Sequence, residues 1–198
     1  MDIIIGMSGA SGSIYGVRIL EILKNMGITT HLVMSHAAGM TIREETNYQV
    51  QEVMDAADYV YKPKEVGAAI ASGSFKVDGM VIIPCSIKTL SAVANSYNDN
   101  LLTRAADVQL KENRKLVMVV RETPLHTGHL QLMTQAANIG AVVLPPVPSF
   151  YHQPQTIDDI IHHTIGKVLD QFGIDAGLFQ RWGGLLNTQE QEEKNDQV

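Results

Sequence analysis

Residues 3–20 read IIIGMSGASGSIYGVRIL: a hydrophobic run, a turn rich in glycine and serine, then apolar residues at helical spacing. Ile3 to Ile5 reads as a buried strand, and Ile14, Val17, Leu20 and Leu23 share one face of a helix that starts near Ser13 and stops at Gly27. Strand, glycine turn and helix form the first half of a βαβ unit, whose turn amides and helix N-terminus favour an anion beyond the strand. Gly6, Gly9, Gly12 and Gly16 are spaced three, three and four apart, so the G-x-G-x-x-G dinucleotide fingerprint is not matched. The hydroxyls of Ser8, Ser11 and Ser13 suit a single phosphate or a polar ring edge, and the same composition also suits an ordinary tight turn.

The alternation recurs along the chain. DIIIGM (2–7), THLVMS (30–35), GMVIIP (79–84), KLVMVV (115–120) and AVVLPP (141–146) are nearly unbroken hydrophobic runs, the pattern of parallel strands covered on both faces. Helices are predicted between and after them, over 13–26, 37–45, 87–94, 101–113, 129–139 and 157–172. The last has Thr156 as N-cap, Asp158 and Asp159 in its first turn, and an inward stripe of Ile157, Ile160, Ile161, Val168 and Phe172. The predicted fold is therefore a single-domain α/β, a doubly wound parallel sheet of Rossmann or flavodoxin type with helices on both faces. The domain is expected over 1–186, and residues 187–198 (NTQEQEEKNDQV) hold too little apolar surface to pack and read as a flexible tail.

The 198 residues carry a formal net charge of −6 with scattered basic residues, which argues against a nucleic-acid footprint. Cys85 is the single cysteine, so no intrachain disulfide forms. The N-terminus enters a strand without a signal-peptide pattern, and no apolar run approaches the ~20 residues that cross a bilayer. A cytoplasmic protein without membrane association is expected.

In such a sheet, ligands bind at the carboxyl ends of the strands. The residues there are the 9–12 turn, Ser35, the 84–89 stretch, Arg121 with Glu122, and 145–151. Ser86 can cap the following helix while Lys88 and Thr89 face the crevice, making a second candidate anion or ring-edge site. Arg121 can neutralise a phosphate and Glu122 can take a proton, although a solvated charge pair reads the same way; Glu45 is a second candidate carboxylate. Cys85, a lone thiol with no assigned base, reads as an inert packing residue. His126 with His129, His162 with His163, and His152 match no zinc spacing, so no metal site is expected. PPVPSFYHQPQ (145–155) can wall a hydrophobic substrate group, and the lone Trp182 reads as a packing anchor or a pocket cap.

Six segments together, GASGSIYG (9–16), MSHAA (34–38), PCSIKTLS (84–91), NLLTRAADVQLKE (100–112), RETPLH (121–126) and FYHQPQ (150–155), resemble the UbiX-type flavin prenyltransferases, earlier described as phenylacrylic or hydroxyarylic acid decarboxylase subunits. The resemblance runs from about Ile3 to Trp182. It implies an FMN site touched by Gly9, Ala10, Ser11, Ser35, Ser86, Ile87, Lys88, Thr89 and Arg121. The implied reaction moves a dimethylallyl group from dimethylallyl monophosphate to N5 and then C6 of reduced FMN, without a metal. The product, prenylated FMN, serves a partner UbiD-type aromatic acid decarboxylase.

The positions matching the family's phosphate-stabilising residues are Arg104, Lys111, Tyr151 and Lys167, with Arg104 acting across a subunit boundary. Ser11, Glu45, Lys111, Glu122 and Trp182 match the family's catalytic positions. Some relatives have arginine at Lys167 and a further tryptophan near Val66; lysine keeps the charge but loses the bidentate fork. A homo-oligomer, a dodecamer, is implied. Two other readings stay open. FMN-dependent oxidative decarboxylases of cysteine-type substrates carry Pro-Ala-Ser-Ala-Asn-Thr where this chain has PCSIKTLS, and a catalytic histidine where it has Ser13 and Ile14. A non-catalytic FMN carrier would need the turn, Ser86 and Arg121 but not the phosphate-stabilising set.

Overall fold

A computed structural model describes residues 1–184; the tail expected at 187–198 lies outside the described residues. The strands are β1 (Asp2–Met7), β2 (Thr29–Met34), β3 (Tyr59–Tyr61), β4 (Gly79–Cys85), β5 (Lys115–Val120) and β6 (Val142–Val143). The helices are α1 (Ser13–Asn25), α2 (His36–Glu45), α3 (Val50–Asp55), α4 (Ile87–Ala94), α5 (Leu101–Lys111), α6 (Thr127–Asn138) and α7 (Ile157–Asp170), with a 3₁₀ turn at Ala69–Ala71. All strand pairs are parallel and their order is β3-β2-β1-β4-β5-β6. Of the two topologies left open by the sequence, this is the Rossmann order, and the chain reverses direction across the sheet between β1 and β4.

Successive strand residues point to opposite faces, and both faces are covered. Ile3, Ile5, Val81 and Val117 belong to a core shared with α1, α2 and α7, while Ile4, Met80, Ile82 and Met118 belong to one shared with α4, α5 and α6. Two-sided burial is why the strands read as continuous apolar runs. Glycines permit two close contacts. A Cβ at Gly6 would come 2.9 Å from the Met80 side chain, and one at Gly16 would come 2.4 Å from the Met7 methyl and 2.7 Å from the Ile83 carbonyl. Gly16 thus lets α1 lie directly on the sheet.

Several local expectations are corrected. β3 and α3 were not predicted: β3 is a three-residue edge strand with Tyr59 and Val60 exposed, and α3 is six residues long, both too short for periodicity to register. α5 ends at Lys111 rather than 113 because Asn113 takes a positive φ of 54°. α6 begins at Thr127 because the His126 imidazole Nδ1 accepts the Gly128 N–H at 3.0 Å, a cap not expected of histidine. Ile157 is 78% exposed at the first position of α7, so the inward stripe begins deeper, with Ile161, Ile165, Val168 and Leu169. Thr156 does cap α7 through the Asp159 N–H, and the Asp159 carboxylate accepts the Thr156 N–H in return.

Gly16→Ala sets a helix-propensity gain of about 1 kcal/mol against overpacking of about 1–3 kcal/mol. Because one clashing atom is a backbone carbonyl, overpacking is expected to win, and the thermal midpoint should fall.

Candidate active site

The site grows from the seam between β1 and β4. Regular pairing stops at Gly6 and Ile82, and the β4–β5 register shifts between Ile82 and Cys85, which allows Pro84 inside a central strand despite its missing N–H. Ser8 closes the seam beyond that point. Its N–H and its hydroxyl donate to the Pro84 carbonyl at 3.2 and 3.0 Å, and its hydroxyl oxygen accepts the Ser86 N–H at 2.7 Å. The 8–12 turn and the start of α4 are therefore tied together. Arg121 joins them through its own N–H, which donates to the Cys85 carbonyl at 3.0 Å.

On the other flank, the Ser35 N–H donates to the Met7 carbonyl, and the Ser35 hydroxyl accepts the Ala38 N–H, capping α2. A Cβ at Gly9 would sit 2.3 Å from that of Ala37, so only glycine lets the turn lie against the first turn of α2. The Ser86 hydroxyl likewise accepts the Thr89 N–H and caps α4. The amides of Ile87 and Lys88, in the first turn of α4, have no intrahelical acceptor by construction. Lys88 and Arg121 are exposed, and among the described residues no hydrogen bond, ion pair or ring contact engages either side-chain cation.

The N-terminus of α1 is filled from within. The Glu45 Oε2 accepts the Gly12 N–H (2.8 Å), the Ser13 N–H (3.1 Å) and the Ser13 hydroxyl (3.0 Å). Partial burial pulls the Glu45 carboxyl upward, but hydrogen bonds from Ser11, Ser13 and Gly12 outweigh it and hold the pKa below its ordinary value. This corrects the expectation that a ligand phosphate sits on the first helix terminus: the protein supplies its own anion there. It also corrects the reading of the serines. Ser8 and Ser13 are buried and committed internally, while Ser11 is exposed. Burial pushes the Cys85 thiol well up, consistent with an inert packing residue.

A second cluster forms on α7 and the segments flanking it. The Tyr151 hydroxyl lies 3.2 Å from His163 Nε2, and the Tyr151 ring meets Trp182 edge-on at 5.7 Å. One turn along α7, the Lys167 ammonium lies 3.6 Å from Asp170, which also receives two hydrogen bonds from Arg181 at 2.7 and 3.1 Å. Those Arg181 bonds, reinforced by Lys167, hold the Asp170 carboxyl below the usual range. A third group lies on α5. Arg104 donates to the Ala71 carbonyl and pairs with Asp107 at 3.0 Å, and Lys111 pairs with Glu112. Among the described residues, no hydrogen bond, ion pair or ring contact joins either group to the crevice.

A cavity of about 520 Å³ runs along α4 from Lys88 and Thr89 to Tyr97 and Thr103. Among the described residues, no group of three or more His, Cys, Asp or Glu side chains is placed to hold a metal ion. No helix among them is long and apolar enough to cross a membrane.

A family model described as Flavoprotein matches residues 1–169. A flavin prenyltransferase UbiX from Thauera aromatica is 62% identical over 184 residues, 93% of this chain and 95% of that protein. The chain belongs to the UbiX-type flavin prenyltransferases. Among solved structures, AnUbiX (PadA1) in complex with FMN and dimethylallyl pyrophosphate has a TM-score of 0.91 at 45% identity, covering 92% of this chain and 97% of that one. A dodecameric FMN-dependent UbiX-like decarboxylase from Escherichia coli O157:H7 also has a TM-score of 0.91, at 49% identity over 93% and 100% of the two chains.

Within this family member, Gly9, Ala10, Ser11, Ser35, Ser86, Ile87, Lys88, Thr89 and Arg121 lie just beyond the carboxyl ends of β1, β2, β4 and β5, with Glu45 bonded to the turn after β1. Glu122 follows Arg121 at its exposed rim, where its carboxylate accepts the Thr123 N–H. Tyr151, Lys167 and Trp182 share the α7 cluster; Arg104 and Lys111 lie on α5. Sequence reasoning missed Ser8 as the seam and Glu45 as the α1 cap, since both act across many intervening residues.

Because its folded pKa is depressed, Glu45 adds stability that is fully present above its unfolded pKa of about 4.3 and lost as pH falls through the lower folded value. Glu45→Gln should cost about 1 kcal/mol at pH 7. In thermal melts against pH, the gap between the two proteins should close below about pH 4.

Proposed function

We propose that this chain transfers the dimethylallyl group of dimethylallyl monophosphate to N5 and C6 of reduced FMN, and that the prenylated FMN passes to a UbiD-type aromatic acid decarboxylase. The reading is carried by one observation: the crevice gathers a glycine cradle, unpartnered helix amides and two unengaged cations, in a chain whose fold matches a protein solved with FMN and dimethylallyl pyrophosphate. Those groups fit FMN. The Gly9–Ser11 turn and the caps Ser35 and Ser86 would border it, the first-turn amides of Ile87 and Lys88 with Thr89 would donate to it, and Arg121 would meet negative charge.

Reduced FMN supplies the two nucleophilic ring positions; the chain's residues position, neutralise and move protons. Ser11 and Glu45 form a hydrogen-bonded pair at the rim, in which the ionised carboxylate can accept a proton through the serine hydroxyl, and Glu122 offers a second carboxylate. Charge on the departing phosphate is met by Lys167, Arg104 and Lys111 with the Tyr151 hydroxyl, and Trp182 covers the allyl group. Among the described residues no hydrogen bond, ion pair or ring contact joins Tyr151, Lys167 and Trp182, or Arg104 and Lys111, to their own chain's crevice, which supports a reading in which other copies deliver them. A homo-oligomer follows, and the dodecamer of the Escherichia coli relative is the arrangement we propose. A single buried thiol and a reduced flavin substrate fit a cytoplasmic setting.

Anaerobic incubation with reduced FMN and dimethylallyl monophosphate, followed by flavin release and mass spectrometry, should give flavin heavier by one dimethylallyl unit. Unmodified FMN from folded, flavin-bound protein would overturn the proposal. Substituting Lys111, Glu122, Tyr151 and Lys167 together should abolish turnover while FMN still binds; unchanged flavin function would mark a carrier. In titrations, Lys167→Ala should weaken dimethylallyl monophosphate binding more than FMN binding, and equal loss of both would contradict the assignment.

A further inference from the structure

We propose that His163 is a positioning residue that fixes the Tyr151 hydroxyl as a donor toward the substrate phosphate. The inference rests on the reading of Tyr151 as a phosphate ligand and adds a residue to that site. Tyr151 lies outside α7, in the turn-rich segment before it, and is 46% exposed, so its own backbone does little to aim its ring. What aims it is α7. His163 is 7% exposed, and its Nε2 lies 3.2 Å from the Tyr151 oxygen.

The imidazole is itself held on three sides. His152 stacks on it at 4.8 Å with an interplanar angle of 7°, Phe179 meets it edge-on at 4.7 Å, and the Tyr151 ring meets it at 5.8 Å. Burial, with His152 and Lys167 nearby, pushes the His163 pKa below its ordinary value and favours the neutral ring. A neutral imidazole has one donor and one acceptor nitrogen. We infer the tautomer with the proton on Nε2, in which the ring donates to the Tyr151 oxygen and leaves the phenolic O–H free to donate to an anion. Lys167 follows His163 by four residues, so both lie on one face of α7. The helix thereby supports the tyrosine hydroxyl through His163 and carries the Lys167 ammonium one turn further on.

The test uses the full-length protein with FMN. Asn at 163 keeps a polar side chain but is too short to reach Tyr151, whereas Gln places an amide near the position of Nε2. His163→Asn should raise the KM for dimethylallyl monophosphate by about three- to tenfold, the worth of one hydrogen bond. The FMN Kd should change little, whatever the lost ring packing does to the thermal midpoint, and His163→Gln should restore most of the KM. The double variant Tyr151→Phe with His163→Asn should lose no more than Tyr151→Phe alone. An unchanged KM in His163→Asn, or equal losses in the Asn and Gln variants, overturns the proposal. An unchanged KM in Tyr151→Phe would instead remove the underlying role of Tyr151, so the two failures are distinguishable.

Discussion

The Ser8 hydroxyl is the interaction on which the crevice depends. At the centre of a parallel sheet where the chain reverses direction, two strands must diverge and leave room for a ligand, yet their last backbone groups cannot be left buried without partners. Ser8 meets both demands, donating to the Pro84 carbonyl and accepting from the Ser86 N–H. A proline at this point of β4 removes a donor that the seam has no acceptor for, and the register shift beside it turns the chain toward α4. The distance between the glycine turn and the α4 cap, and hence the width of the mouth, is set by two hydrogen bonds to one oxygen.

Electrostatics then divide the helix termini between structure and chemistry. Three helices begin at this mouth, and each offers unpaired N–H groups and partial positive charge. The first is neutralised by Glu45, arriving from the end of α2, and this locks α1 to α2 while holding a carboxylate at the rim. The second and third are capped by serines, which satisfy one amide each and leave the others pointing outward. The protein thus keeps a fixed anion at the first terminus and uncapped first-turn donors at the other two.

The groups assigned to the departing phosphate follow another logic. Within one chain they sit on α5 and on the α7 cluster, each cation resting against an acidic neighbour: Arg104 on Asp107, Lys111 on Glu112, Lys167 on Asp170. Such exposed pairs are worth little to stability, but they orient long side chains and spare each cation from standing alone. If copies share the site as proposed, flavin binding in one chain's crevice is separated from phosphate handling, which assembly would complete.

Read alone, the amino-acid sequence determined the α/β class, five of the six strands, the caps Ser86 and Thr156, and a set of candidate residues whose order along the chain matched a family. These are local properties: hydrophobic period, capping chemistry and motif spacing are carried by neighbouring residues. The edge strand Tyr59–Tyr61 escaped because three residues hold too little period to recognise. Only the tertiary structure decided which serine hydroxyl stays exposed, that Glu45 occupies the α1 terminus, and that His163 stands behind Tyr151. The contacts that decide them bridge 33 residues from Gly12 to Glu45, 78 from Ser8 to Ser86 and 12 from Tyr151 to His163. No local pattern encodes such distances, because they are set by how buried strands and helices pack.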